Sequence, residues 1–91
     1  MVVWKLALVP SRVNTYDLPR GAQGVAVGRC DGELWLWVLV DPAREKVPTR
    51  FVSVGTGDVL PPDASVDGYV HSYAAPDGDG GTYVQHVFRL P

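Results

Sequence analysis

The chain has little of several residue types on which common protein chemistries depend. Its 91 residues include one cysteine, two histidines and eight basic side chains against ten acidic ones. A single cysteine excludes a disulfide within the chain and any metal site built from cysteines. The net charge of −2 gives no basic surface for nucleic acid. Since no apolar run approaches the roughly 20 residues of a transmembrane helix, we expect binding to neither nucleic acid nor membrane.

The first ten residues, MVVWKLALVP, are apolar like a short secretory signal but lack its other parts. No basic segment precedes the apolar run, and no small-residue cleavage site follows it. We interpret the segment as a strand of the mature protein. The lone thiol of Cys30 is compatible with a reducing compartment, and we expect the protein in the cytoplasm of a host cell.

Helical periodicity is also missing. No segment keeps apolar residues at helical spacing over two turns, and ten glycines and eight prolines interrupt the chain too often for long helices. Short runs of Val, Leu, Tyr and Trp are instead bounded by turn residues, which is typical of strands. The strands are predicted at residues 2–9, 13–18, 24–30, 33–40, 49–55, 69–75 and 82–90. Asp31-Gly32 is the sequence of a tight hairpin turn.

This pattern predicts one all-β domain over residues 1–91. About seven short, mainly antiparallel strands would form a small sandwich or a partly open barrel. Strand alternation also predicts a core. Its expected members are Val25, Val27, Leu36, Val38, Phe51, Val54, Val84 and Phe88, together with Trp35 or Trp37.

The strand predicted at 33–40 is apolar on both faces. Trp35 and Trp37 share one face, and Leu36 and Val38 share the other. Such a strand is normally covered on both sides. Either a second layer of the same domain covers it, with the two tryptophans inward, or a second copy of the chain does.

We favour the second copy. A domain this small has little material for two full layers, and burying apolar surface stabilises by about 25 cal/mol per Å². The strand at 33–40 or the first strand would then form a homodimer with two-fold symmetry. Trp4, Trp35 and Trp37 are the candidate surface for binding a partner or a second copy.

A weaker candidate combines basic side chains with a glycine turn that could contact an anion. Its residues are Arg44, Lys46, Arg50, Gly55, Thr56 and Gly57. The turn is not a phosphate-binding loop, because no Lys–Ser/Thr pair follows it and no helix is predicted there. A solvated loop and ordinary turn geometry are the simpler interpretation.

The remaining reactive residues form no recognisable catalytic or metal-binding pattern. His71 and His86 lie on the two strands predicted for the last hairpin, but a zinc site needs further ligands that the sequence does not place nearby. Asp77 and Asp79 lack the other ligands of a calcium loop. Neither Cys30 nor any serine lies in a nucleophile elbow. We therefore expect no metal, no cofactor and no enzymatic activity.

Six short segments follow one another in a characteristic order. They are WKL at 4–6, LPRGA at 18–22, LWVLVDP at 36–42, FVSVGTG at 51–57, GYVHSY at 68–73 and HVFRL at 86–90. Together they resemble a small domain family of unknown function found in phages, prophages and bacteria. The resemblance spans nearly the whole chain. It implies an accessory role in a phage or mobile element, and it transfers no catalytic residue.

The expected function is therefore that of a non-enzymatic, phage-type accessory protein that binds a macromolecular partner, with a host protein as the expected partner. The apolar surplus at the three tryptophans favours this hypothesis. Two alternatives remain: a binding protein that sequesters a small ligand or nucleotide, and a minor virion or decoration component.

Overall fold

The computed structural model describes residues 1–76 and 79–91. Its strands are β1 (Val2–Ala7), β2 (Val13–Pro19), β3 (Gln23–Cys30), β4 (Glu33–Val40), β5 (Lys46–Gly55), β6 (Tyr69–Pro76) and β7 (Thr82–Arg89). One turn of 3-10 helix at Val66–Gly68 leads into β6. The all-β prediction is confirmed, and each predicted strand is found with small shifts at its ends.

The strands form two antiparallel sheets, which we call sheet 1 and sheet 2. Sheet 1 has the order β1-β4-β3, and sheet 2 has the order β2-β5-β7-β6. β3 also packs against β6 of the other sheet, but no ladder joins the two edges in the described part of the chain. The protein is therefore a small sandwich and not a closed barrel.

β5 begins at Lys46, three residues earlier than the sequence pattern suggests. Its first residues pair with β2 alone, because β7 pairs only with Phe51–Gly55. One side of β5 is therefore outside the ladder at Pro48, where the missing N–H of a proline disrupts least. This explains why a segment with a proline continues the strand.

The core lies between the two sheets. Its buried members are Leu8, Leu18, Ala22, Val27, Leu36, Val38, Val40, Phe51 and Val87. Four of the predicted core residues are thus confirmed: Val27, Leu36, Val38 and Phe51. Val54, Val84 and Phe88 are only half-buried. They lie with Val52 and His86 on the outer face of sheet 2, as the strand register shows.

The prediction was wrong for Val25, which is 46% exposed. The register of β3 against β4 shifts between Gly24 and Ala26, so Val25 lies in a β-bulge. A bulge inserts an extra residue into one strand and interrupts the alternation of faces. Strict alternation therefore fails at this position.

The core prediction was also wrong in including Trp35 or Trp37 of β4. Leu36 and Val38 are completely buried between the sheets, whereas Trp35 and Trp37 are only half-buried. Neighbouring residues of a strand point to opposite faces, so these tryptophans lie on the outer face of sheet 1. The strand is covered by the second layer on its Leu/Val face alone.

A short polar network is buried with the core. Ser53 donates a hydrogen bond from Oγ to Oε1 of Gln85 (2.7 Å), and Nε2 of Gln85 donates to Oγ of Ser11 (3.0 Å). Ser53 is completely buried, and Gln85 nearly so. Since a buried polar group without a partner is costly, these bonds make it possible for two polar side chains to lie between the sheets.

The partly buried hydroxyl of Tyr16 should make the stability of the protein depend on pH. Its hydroxyl donates to the carbonyl oxygen of Ala7 (2.6 Å), and burial raises the pKa of Tyr16 to about 12 from 10.0. The unfolded chain therefore loses this proton first, so the free energy of unfolding should fall as pH rises from 10 to 12. Urea denaturation at several pH values would measure this.

The matched variant is Tyr16→Phe, which keeps the ring and removes the titrating group. It should show a shallower loss of stability over the same pH range. Part of the loss should remain, because burial also raises the pKa of Tyr73. An identical pH dependence in both proteins would contradict this role of Tyr16.

Candidate functional site

The outer face of sheet 1 carries the largest aromatic side chains that the fold leaves outside its core. We call it the tryptophan face. Its residues are Val3, Lys5 and Ala7 of β1, Ala26 and Gly28 of β3, and Trp35, Trp37 and Leu39 of β4. The register places them in cross-strand rows, with β4 in the middle of the sheet.

The indoles lie against their neighbours on the edge strands of sheet 1. Nζ of Lys5 lies 4.0 Å from the ring centroid of Trp35, which is a cation–π contact. Nε1 of Trp35 donates a hydrogen bond to the carbonyl oxygen of Cys30 (3.3 Å). A β-carbon at Gly28 would lie 3.7 Å from Cζ3 of Trp37. Trp35 is thus held between the two edge strands, and the small residues of β3 leave room for Trp37.

The rest of the described chain leaves this face uncovered. Sheet 2 packs against the opposite, inner face of sheet 1. The long segment at 56–65 lies against sheet 2, where residues 58–61 border Val52 and an ion pair joins Arg50 to Asp63. Val3 is 56% exposed. The tryptophan face is therefore an apolar surface in contact with solvent.

Trp4 does not belong to this surface. It pairs with Val38 and lies on the inner face of sheet 1, half-buried against the core. Nζ of Lys46 lies 5.9 Å from its ring centroid. The structure thus brings Trp35 and Trp37 together and separates Trp4 from them.

The residues of the candidate anion site are not brought together. β5 places Lys46 and Gly55 at its two ends, roughly 30 Å apart at the rise of a strand. Arg50 lies between them, and its Nη2 donates to Oδ2 of Asp63 (2.9 Å) and to the carbonyl oxygen of Pro91 (3.1 Å). Arg44 lies before β5, on the side of Lys46.

The glycine turn of that candidate site already holds a carboxylate of its own chain. The N–H of Gly55 donates to Oδ2 of Asp58 (2.9 Å), and the N–H of Asp58 donates to the carbonyl oxygen of Gly55 (3.0 Å). The N–H of Thr56 donates to the carbonyl oxygen of Val84 (3.1 Å). Gly57 has a φ of +92°, which glycine adopts readily. The turn is thus stabilised by its own bonds.

The two histidines both contact Ser72, but through different atoms. His86 lies between two hydroxyl groups, with Nδ1 2.8 Å from Oγ of Ser72 and Nε2 2.7 Å from Oγ1 of Thr56. Nδ1 of His71 lies 2.6 Å from the carbonyl oxygen of Ser72. Across residues 1–76 and 79–91, no group of three or more His, Cys, Asp or Glu side chains could hold a metal ion. Asp77 lies outside the described residues.

Sequence reasoning missed a cavity at one end of the sandwich, to which Arg29, Tyr73 and Tyr83 contribute. These residues come from β3, β6 and β7, which are far apart in sequence. Only the packing of the two sheets against each other brings them together. The alternation of β7 was the available signal, since it places Tyr83 on the same face as the buried Gln85.

In the part of the chain that the structure describes, no helix has the length and apolar character needed to cross a membrane.

Comparison with known proteins gives one match. A family model described as a domain of unknown function (DUF7352) matches residues 1–91. The comparisons with curated proteins and with solved structures found no match. The expected resemblance to a family of unknown function is thus confirmed. Because the match covers every residue, the chain belongs to the family described as domain of unknown function DUF7352.

Proposed function

We propose that the protein is a non-enzymatic accessory protein of phage type, located in the host cytoplasm, that binds a host protein through the tryptophan face. The observation that carries the proposal is the pair Trp35 and Trp37 on a sheet face that the described chain leaves uncovered. The phage-type role is supported by the order of the six sequence segments described above.

The size of the face supports an interaction with one partner. Three strands about 4.8 Å apart and about six residues long, at roughly 3.4 Å per residue, present about 300 Å². An apolar patch of this size is often functional on a monomeric protein. Tryptophan is enriched among the residues that carry most of the binding energy at interfaces. The two indoles therefore supply the anchors of a small interface.

Charge indicates the chemistry of the partner. Lys5 places its ammonium group over Trp35, within the apolar face. A partner that presents apolar side chains beside a carboxylate would bury the indoles and pair with Lys5 at once. Complementary charge would also direct the orientation of the complex. The partner we propose is thus a protein surface with an apolar patch and an adjacent acidic residue.

The area of the tryptophan face also bears on binding of a second copy of the chain. A stable protein interface buries about 800 Å² on each partner, and the tryptophan face provides less than half of that. The homodimer predicted from sequence therefore stays a prediction, and through this face alone we expect it to be weak and dependent on concentration. Light scattering would show the protein approaching twice its 9.9 kDa chain mass only in concentrated samples.

Site-specific cross-linking tests the proposed surface. Benzoylphenylalanine in place of Val3 lies at the tryptophan face, whereas the same residue in place of Val59, which is 93% exposed, lies on the long 56–65 segment. In a bacterial host lysate, we expect a cross-linked protein from position 3 and not from position 59. Equal products from both positions, or none from position 3, would contradict the proposal.

Affinity measurements with the purified proteins then test the surface directly. Trp37→Glu should weaken binding of the cross-linked protein at least about tenfold, because it places a charge where an indole was buried. Val59→Glu is the matched control and should bind like the unaltered protein. Thermal melting checks that both variants fold. Unchanged affinity in a folded Trp37→Glu variant would overturn the proposed surface.

A further inference from the structure

A cavity of about 330 Å³ opens between the two sheets at one end of the sandwich. It lies where β1 and β3 end and where β4 and β7 begin. Its volume is at the lower end of the range for small-molecule sites. The cavity is distinct from the tryptophan face, because Arg29, Leu34, Tyr73 and Tyr83 lie on the inner faces of the sheets, and of its strand residues only Glu33, at the rim, lies on the outer face.

The walls are apolar and aromatic. Leu8 and Leu34 form the side from sheet 1, where the N–H of Leu8 donates to the carbonyl oxygen of Leu34 (3.1 Å). Tyr73 and Tyr83 form the side from sheet 2. Tyr73 packs against the core, and Tyr83 is 39% exposed. A flat apolar group between these walls would contact side chains from both sheets.

Polar groups converge on the same space. Arg29 pairs with Leu34 across the ladder, which directs its side chain to the inner face of sheet 1. Its guanidinium forms no ion pair with any carboxylate in the described residues. Glu33 is also at the rim and exposed to solvent. One basic group is thus available at the mouth of the cavity.

The hydroxyl of Tyr73 is buried and has no hydrogen-bond partner among the described residues. Ser53 lies near it but donates its own proton to Gln85. Burial raises the pKa of Tyr73, the nearby Ser53 and the charge of Arg29 lower it in part, and Tyr83 raises it. Arg29 and Tyr83 are thus close enough to Tyr73 to affect its ionisation.

We propose that this cavity binds a small aromatic carboxylic acid, with its ring between the two tyrosines of sheet 2 and the two leucines of sheet 1, and its carboxylate at Arg29. The apolar walls favour the ring, and the guanidinium, which has no ion pair among the described residues, favours a planar anion through two parallel hydrogen bonds. The carboxylate of Glu33 at the rim disfavours a second negative charge on the ligand. The ligand class is therefore a monoanion with one ring.

The test uses 4-fluorophenylacetate as the probe and follows its fluorine resonance during titration with the full chain. We expect saturable binding. The neutral 4-fluorophenylacetamide should bind about tenfold more weakly, because it lacks the charge that pairs with Arg29. Lack of saturation at millimolar protein, or equal binding of acid and amide, would overturn the proposal.

Variants locate the site. Arg29→Gln should weaken binding of the acid about tenfold and leave the amide unchanged. Arg44→Gln, an exposed arginine outside the cavity, is the matched control and should bind the acid normally. Trp37→Glu should also bind normally, which separates this site from the tryptophan face. Acid binding that is unchanged in Arg29→Gln would refute the assigned site.

Discussion

Replacing Phe51 with alanine is expected to lower the free energy of unfolding by about 3–5 kcal/mol, the usual cost of removing a buried aromatic ring. Phe51 has no exposed surface. Its ring centroid lies 6.2 Å from that of Tyr16, and its Cε1 would lie 3.2 Å from a β-carbon at Gly24. The ring therefore fills the space between the sheets, and its removal leaves a cavity there.

This loss is large for so small a domain. At about 0.05–0.15 kcal/mol per residue, a chain of 91 residues has a total stability of roughly 5–14 kcal/mol. Urea denaturation should therefore show the Phe51→Ala variant with a much lower midpoint and an unchanged slope. Val59→Ala is the control, because Val59 is 93% exposed and such surface changes usually stay within about 0.5 kcal/mol.

A second aromatic residue makes the comparison sharper. Strand alternation alone predicts Phe88 in the core, so that Phe88→Ala would cost as much stability as the removal of any buried ring. In the structure, Phe88 is half-buried on the outer face of sheet 2, with its ring 5.5 Å from that of Tyr69. Phe88→Ala should therefore cost clearly less than Phe51→Ala. The reverse order would contradict the described core.

β4 shows what sequence could and could not predict about the fold. Its length, its apolar run and the Asp31-Gly32 turn before it predicted a strand of a hairpin, and the structure has that strand at Glu33–Val40. Hydropathy could not decide which face is inward, because both faces are apolar. The choice depends on the other sheet: Leu36 and Val38 lie opposite a layer that already contains Phe51. The indoles remain outside.

The candidate site was predictable only in part, because alternation relates residues of one strand but not residues of different strands. Trp35 and Trp37 lie two residues apart on one strand, so alternation alone places them on one face. Trp4 lies on another strand, and its face depends on the register of β1 against β4. The bulge at Val25 and the cavity near Tyr73 depend on pairings between distant segments. Local patterns do not contain that information.

Replacing Gly68 with alanine is expected to destabilise the protein by about 3 kcal/mol or more, at the upper end of the range for overpacking. Gly68 ends the 3-10 turn before β6, and its N–H donates to the carbonyl oxygen of Ser65 (3.0 Å). A β-carbon at this position would clash with the carbonyl oxygen of Arg89. That oxygen belongs to the backbone, so no side-chain rotation removes the clash.

The clash must therefore move a strand end. Either the start of β6 shifts or the end of β7 does. A shift of β7 would also move the adjacent Leu90, which is only 2% exposed. Gly28→Ala is the matched control: its β-carbon would meet only the ring of Trp37, at an ordinary contact distance of 3.7 Å. Because alanine restricts the unfolded chain more than glycine does, this variant should be neutral or slightly more stable. Urea denaturation of both variants measures the difference, and equal stabilities would show that the contact between Gly68 and Arg89 does not constrain the fold.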